Sequence, residues 1–205
     1  MNTRLDLSLT PSLWRTCRAL ANMQRLRLFH AMLDKAPQTV NELMKLCDLP
    51  EPVCSQYLRQ LNARGLCKAT RKSRWVFYHL QTDPKVRHSQ SIEQAVASAL
   101  RCVTPQTHAT SQTYKEVFAD LTAYTHPRRI AIVHILSSQK RKTASFYALC
   151  TQCHISLPAL KRHLAKLERR GVVSVRNESV TLVHPRSPLA KTLLAVAAAT
   201  PLEQL

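Results

Sequence analysis

Two stretches decide the fold. The first is Pro52-Val53-Cys54-Ser55-Gln56-Tyr57-Leu58-Arg59-Gln60-Leu61-Asn62-Ala63-Arg64-Gly65-Leu66, and the second is Pro158-Ala159-Leu160-Lys161-Arg162-His163-Leu164-Ala165-Lys166-Leu167-Glu168-Arg169-Arg170-Gly171-Val172. Overlaid, the proline, two leucines, an arginine and the glycine coincide. The chain has 2 glycines, and these are both of them. Each stands where a helix has to stop, because glycine enters the left-handed backbone region without steric cost. Proline opens each helix, where its missing N–H would have had no partner. An apolar, β-branched strand pattern follows each glycine.

The spacing extends outward in both directions. Ser12 to Asn22 and Gln24 to Leu33 read as helices with Leu13, Cys17, Leu20, Leu26, Phe29 and Leu33 on their buried faces. Thr39 with Glu42 three positions on predicts a capping box for a short helix ending near Cys47. Asp48 to Glu51 is the turn before the proline-led helix. In that helix Cys54, Leu58 and Leu61 point inward and Gln56, Arg59 and Gln60 outward. Leu66 to Thr70 and Trp75 to Leu80 read as strands joined by Arg71-Lys72-Ser73-Arg74. Asp83 and Pro84 are expected to start a further helix that runs to about Arg101.

A polar run, Thr104 to Gln112, interrupts the periodicity and reads as a linker. The pattern then restarts. Tyr114 to Tyr124 and Arg128 to Leu136 repeat the first two helices, with Arg129 and His134 over Arg25 and His30. Ala144 to Cys150 is the short helix, and Ser156 is expected to cap the second proline-led helix, which buries Leu160, Leu164 and Leu167. Val172 to Arg176 and Val180 to Val183 are strands, and Leu189 to Ala199 closes the chain. The expectation is a mainly α protein with small β-wings, two tandem winged helix-turn-helix domains at residues 8–103 and 113–200.

Charge points to the class of partner. Of 205 residues, 30 are Lys or Arg and 12 are Asp or Glu, a formal charge of +18. Before Pro105 stand sixteen basic and seven acidic residues, and after it fourteen and five, so both halves are basic. Such a balance attracts polyanions, above all nucleic acid. No signal-peptide core or bilayer-length apolar run is visible, and the 7 cysteines are odd in number and scattered; a cytoplasmic protein with free thiols is expected. Two glycines can hardly build a phosphate loop, and neither a nucleophile elbow nor catalytically spaced carboxylates occur, so no enzyme is expected.

The candidate double-stranded DNA contacts follow from residue type. Ser55, Gln56, Tyr57, Arg59 and Gln60 lie on the first helix, where Gln can pair with adenine and Arg with guanine or phosphate. Lys161, Arg162, His163, Lys166 and Arg169 make the second helix more basic and better suited to phosphates. Arg71, Lys72 and Arg74 place three cations at the first wing tip, suited to the minor groove or backbone. The second tip, Asn177-Glu178-Ser179, carries an acid.

Cys47-Asp48-Leu49, Ser55-Gln56-Tyr57-Leu58, Leu61, Arg64-Gly65-Leu66 and Arg74-Trp75-Val76-Phe77-Tyr78-His79-Leu80 resemble the winged helix-turn-helix repressors of the ArsR/SmtB family. The resemblance covers residues 10–102 and is weaker over 114–200. It implies a bacterial transcription regulator whose first and last helices form a dimer interface. With two such domains in one chain, an intramolecular pseudo-dimer is expected, or a homodimer through the terminal helices. The family's metal-sensing Cys-x-Cys-Asp-Leu motif has Lys45 at its first cysteine here, so neither a metal nor a cofactor is expected. Cys150-Thr151-Gln152-Cys153-His154 matches a haem-attachment pattern but falls on the helix-turn junction. Inert thiols are the preferred reading of Cys47, Cys54, Cys150 and Cys153, with a redox switch between Cys47 and Cys54 as the alternative. A plasmid-type replication initiator and a protein-binding winged-helix scaffold are the other functional readings.

Overall fold

The computed structural model describes residues 12–33, 35–83, 86, 88–101 and 112–202. Ten helices and six strands are formed among them. From the N-terminal side these are α1 (Leu13–Leu20), α2 (Met23–Ala31), β1 (Gln38–Thr39), α3 (Val40–Cys47), α4 (Glu51–Asn62), β2 (Lys68–Lys72), β3 (Trp75–His79) and α5 (Ser89–Leu100). There follow α6 (Gln112–Ala123), α7 (Pro127–Ser138), β4 (Thr143–Ser145), α8 (Phe146–Cys153), α9 (Leu157–Arg169), β5 (Val173–Arg176), β6 (Ser179–Leu182) and α10 (Pro188–Ala199). The order helix, helix, strand, helix, helix, strand, strand, helix thus occurs twice. Each set of strands forms an antiparallel sheet with its last strand in the middle, β1-β3-β2 and β4-β6-β5.

Local chemistry accounts for the boundaries. Thr39 Oγ1 accepts from the Glu42 amide while Glu42 Oε2 accepts from the Thr39 amide, the reciprocal capping box that the sequence predicts. Ser145 caps α8 through the Ala148 amide, and Ser187 caps α10 through Ala190. Ser156 stands at the N-cap of α9 but its side chain makes no capping bond there, contrary to expectation. Pro158 already removes one of the amides that a cap would satisfy. The fifth helix begins at Ser89 rather than at Asp83. Asp83 is used instead in a turn: its amide donates to Gly65 O, and its carbonyl accepts from Val86 N and Ser89 Oγ. The expected linker falls mostly on residues 102–111, outside the described residues.

Side chains from both sets of elements join in one apolar cluster. α1 packs on α6, and α5 packs on both α6 and α10. The faces they bury are Leu13, Cys17 and Leu20 on α1, Ile92, Val96 and Leu100 on α5, Val117 and Leu121 on α6, and Leu193, Val196 and Ala197 on α10. Each large aliphatic removed from water contributes about 1.5–3 kcal/mol, so this seam is held chiefly by apolar burial. A buried polar contact crosses it, between His30 Nδ1 of α2 and the Tyr114 hydroxyl of α6. The equivalent His134 on α7 instead bonds the Ala198 carbonyl at 2.8 Å.

Two arginines that align in the sequence occupy matching places. Arg129 is 5% exposed and donates to Thr122 O at 2.7 Å and Thr125 Oγ1 at 2.6 Å. Arg25 donates to Ala19 O, to Arg18 O at 3.0 Å and to Gln60 Oε1 at 2.8 Å. Each cation therefore takes up carbonyls at the C-terminal end of the preceding helix, where the helix dipole is negative. Burial lowers the pKa of both guanidinium groups.

Candidate nucleic-acid interface

The two proline-led helices are aimed by the turns in front of them. α3 ends on Asp48 at φ 51° and α8 on His154 at φ 50°, both left-handed. Asp and His are among the few non-glycine residues that enter this region readily. Leu49 N then donates to Met44 O, and Ile155 N to Cys150 O, each at 3.1 Å. Arg128 braces the second turn by donating to Cys153 O at 2.7 Å. Packing of Cys54, Leu58 and Leu61 on one helix, and of Leu160, Leu164 and Leu167 on the other, fixes which residues remain outside. Both helices stop at glycine, Gly65 at φ 61° and Gly171 at φ 69°, and the next residue closes back on the third leucine: Leu66 N to Leu61 O at 3.1 Å, Val172 N to Leu167 O at 3.0 Å.

On α4, Gln56 and Arg59 are exposed and Ser55 is half-buried. Tyr57 and Gln60 are half-buried and turned to α2. The Tyr57 hydroxyl donates to Gln24 Oε1 at 2.9 Å, and its ring lies beneath the Arg25 guanidinium at 5.3 Å. Gln60 was expected to point outward; its carbonyl oxygen accepts from Arg25 instead. Periodicity places Gln60 on the flank of the helix, and the half-buried Arg25 of α2, which periodicity does not reveal, draws it in. The one available signal was the alignment of Arg25 with Arg129.

On α9, Lys161, Arg162, Lys166 and Arg169 are exposed, while His163 is half-buried against His126, ring centroids 4.5 Å apart. Burial, then the nearby His126, Arg129, Lys166 and Arg162, push the His163 pKa down to about 4. His126 is lowered as well, by burial first and then by Arg129, Lys166, Arg128 and Arg18. Its Nδ1 accepts from Arg128 N at 3.1 Å to cap α7, which requires that nitrogen to be unprotonated. His163 is accordingly a neutral packing residue at neutral pH, whereas its four basic neighbours form a cationic face.

The wings differ. β2 and β3 pair Lys72 with Trp75, so the turn contains Ser73 and Arg74 alone, with Ser73 at φ 55°. Arg71 and Lys72, expected in the turn, belong to the strand. All three cations are exposed; Arg71 Nε donates to Ser73 O at 3.2 Å and Arg74 lies over the Trp75 ring at 5.5 Å. The second hairpin turns on Asn177 and Glu178, both left-handed. Two successive left-handed residues suit a tight two-residue hairpin.

Burial holds four of the thiols in their protonated form. Six free thiols stand among the described residues. Burial pushes Cys47 and Cys54 up to about 11, Cys67 to about 12 and Cys153 to about 11, far from the thiolate form that reacts or ligates. Among the described residues no three His, Cys, Asp or Glu side chains gather closely enough to hold a metal ion. None of the described helices is long and apolar enough to cross a membrane.

Comparison with known families locates the resemblance. The family model "Bacterial regulatory protein, arsR family" matches residues 126–175, from the cap of α7 into β5. That segment is an ArsR-type helix-turn-helix, the kind of module found in DNA-binding transcription regulators. The sequence resemblance was expected to be stronger over residues 10–102; the match lies in the later stretch instead. No curated protein and no solved structure matches the chain.

Proposed function

We propose that the chain is a bacterial, cytoplasmic, double-stranded-DNA-binding transcription regulator built from two tandem winged helix-turn-helix domains, 8–103 and 113–200. The observation that carries this reading is the recurrence of one element order around two proline-led, glycine-stopped helices whose outer faces are polar or cationic. The match over 126–175 supports the second unit; the same turn, buried ladder and helix stop around α4 support the first. Packing of α1 and α5 against α6 and α10 supports an intramolecular pseudo-dimer.

In this reading each helix enters a major groove. Ser55, Gln56 and Arg59 read base edges, with Tyr57 and Gln60 holding α4 to α2 behind them. Lys161, Arg162, Lys166 and Arg169 grip phosphates, with His163 as the packed support of that face. Arg71, Lys72 and Arg74 reach the backbone or minor groove from the first wing. A pseudo-dimer places half-sites about one helical turn, roughly 34 Å, apart. Selection from random duplexes tests the proposal: enrichment of a paired motif with that spacing is expected, and failure to retain any duplex even at low salt defeats it.

A further inference from the structure

The turn at each glycine is surrounded differently, and the second leaves a cavity. A side-chain carbon added at Gly65 would meet Val86 Cγ2 at 2.7 Å and Asp83 Cβ at 2.9 Å, because the segment after the first wing folds over it. A carbon added at Gly171 would meet nothing within 4 Å. The segment after the second wing, including His184 to Ser187, stands back from Gly171, and a cleft of about 620 Å³ opens between α6, the Gly171 turn and the start of α10. That volume is in the range of small-ligand sites. Tyr124, Val172 and Leu194 supply apolar lining.

The charge on the α6 wall identifies the ligand chemistry. Asp120 and Glu116 both line the cleft. Asp120 Oδ2 accepts from Ser187 Oγ at 2.7 Å, and that hydroxyl is itself committed to the Ala190 amide at 2.9 Å. Oδ1 takes no hydrogen bond from the described residues. Burial, and secondarily the nearby Glu116, raise the Asp120 pKa above its usual value while the Ser187 bond opposes them, as expected of a carboxylate lacking a counter-charge. Arg170, His184 and Arg186 line the cleft too, His184 and Arg186 exposed and Arg170 half-buried. The Arg170 guanidinium lies over the Phe118 ring at 6.0 Å. None of these bases is among the groups that act on Asp120, so its carboxylate stands in the cleft without a counter-charge.

We infer that this cleft binds a small organic monocation, an amine carried on a compact apolar body, with Asp120 as its counter-charge. The amine occupies the free Oδ1 side of Asp120 and the body fills the space above Gly171 that Val86 fills above Gly65. Arg170 and Arg186 select against polycations. The inference is independent of DNA binding and is tested on the free full-length chain by heteronuclear NMR titration with tryptamine, phenethylamine, phenethyl alcohol, 3-phenylpropionate and spermidine. Expected are saturable shifts at Gly171, Asp120 and Leu194 with the two monoamines. The alcohol should bind at least about tenfold more weakly, since its hydroxyl can donate to the carboxylate but lacks the ammonium charge. Asp120→Asn, which keeps a side-chain acceptor for Ser187, should weaken the monoamines by a similar factor while leaving the thermal midpoint near that of the parent chain. Equal binding of amine and alcohol, preference for the carboxylate or spermidine, an unchanged Asp120→Asn variant, or the absence of shifts with every probe would each overturn it.

Discussion

Helices α4 and α9 bury the same ladder, Cys54/Leu58/Leu61 and Leu160/Leu164/Leu167, and stop at glycines of the same handedness. Around α4 the structure is closed: Asp83 and Val86 cover Gly65, and Tyr57 and Gln60 are tied to Gln24 and Arg25. Around α9 it is open: Gly171 borders a cleft, and four cations face outward. One backbone plan thus carries two surfaces, because the ladder and the helix stop fix the path of the chain while the flanking positions remain free to vary. In the proposed function α4 discriminates among sequences and α9 supplies attraction.

The comparison is broken most directly at the glycines. Gly65→Ala adds overpacking, ~1–3 kcal/mol, to left-handed strain of ~1 kcal/mol, a loss of about 2–4 kcal/mol; Gly171→Ala pays the strain alone, about 1 kcal/mol. Urea denaturation of the two variants measures the gap, and equal losses would show that the covering of Gly65 contributes nothing.

The wings come next. Replacing Arg71, Lys72 and Arg74 together by Ala should lower the slope of log affinity against log salt by as much as about 2–3 if all three meet phosphates. Glu178→Lys on the other wing should raise it by about 1 if that tip also approaches DNA. An unchanged slope in the triple variant removes the first wing from the contact.

The helix pair sharpens the division of labour. Gln56→Ala should cost about 1–3 kcal/mol on a selected duplex and little on random sequence, whereas Arg162→Ala at the matching position should weaken both alike and reduce the salt slope by about 1. Fluorescence anisotropy on the two duplexes separates them; reversal of the pattern would exchange the roles of the helices.

The smallest effect concerns pH. The His163 pKa falls from 6.5 unfolded to about 4 folded, so the unfolded chain binds more protons between these values and stability rises with pH across that window. His163→Gln should flatten the rise in denaturation midpoints between pH 4 and 6.5. Because the ring is only half-buried, solvent screening keeps the effect modest.

Much of the local structure is legible in the residues. The capping box at Thr39, the inward ladders and the helix stops at both glycines all follow from short-range stereochemistry, in which a residue's neighbours along the chain decide its state. The orientation of Gln60, the neutrality of His163, the late start of α5 and the placement of Arg71 and Lys72 within a strand were not legible. Each depends on a partner brought up from elsewhere: Arg25 for Gln60, His126 for His163, Gly65 for the Asp83 turn, the β3 register for the wing.

By itself the sequence determined that two helices begin at proline, end at glycine and carry an excess of positive charge, since caps, periodicity and composition are properties of adjacent residues. Only the tertiary structure decided which polar groups on those helices remain available, and that one glycine is covered while the other opens a cleft beside Asp120. Burial and charge compensation depend on what lies across space, and distances between remote segments are not written in the order of the residues.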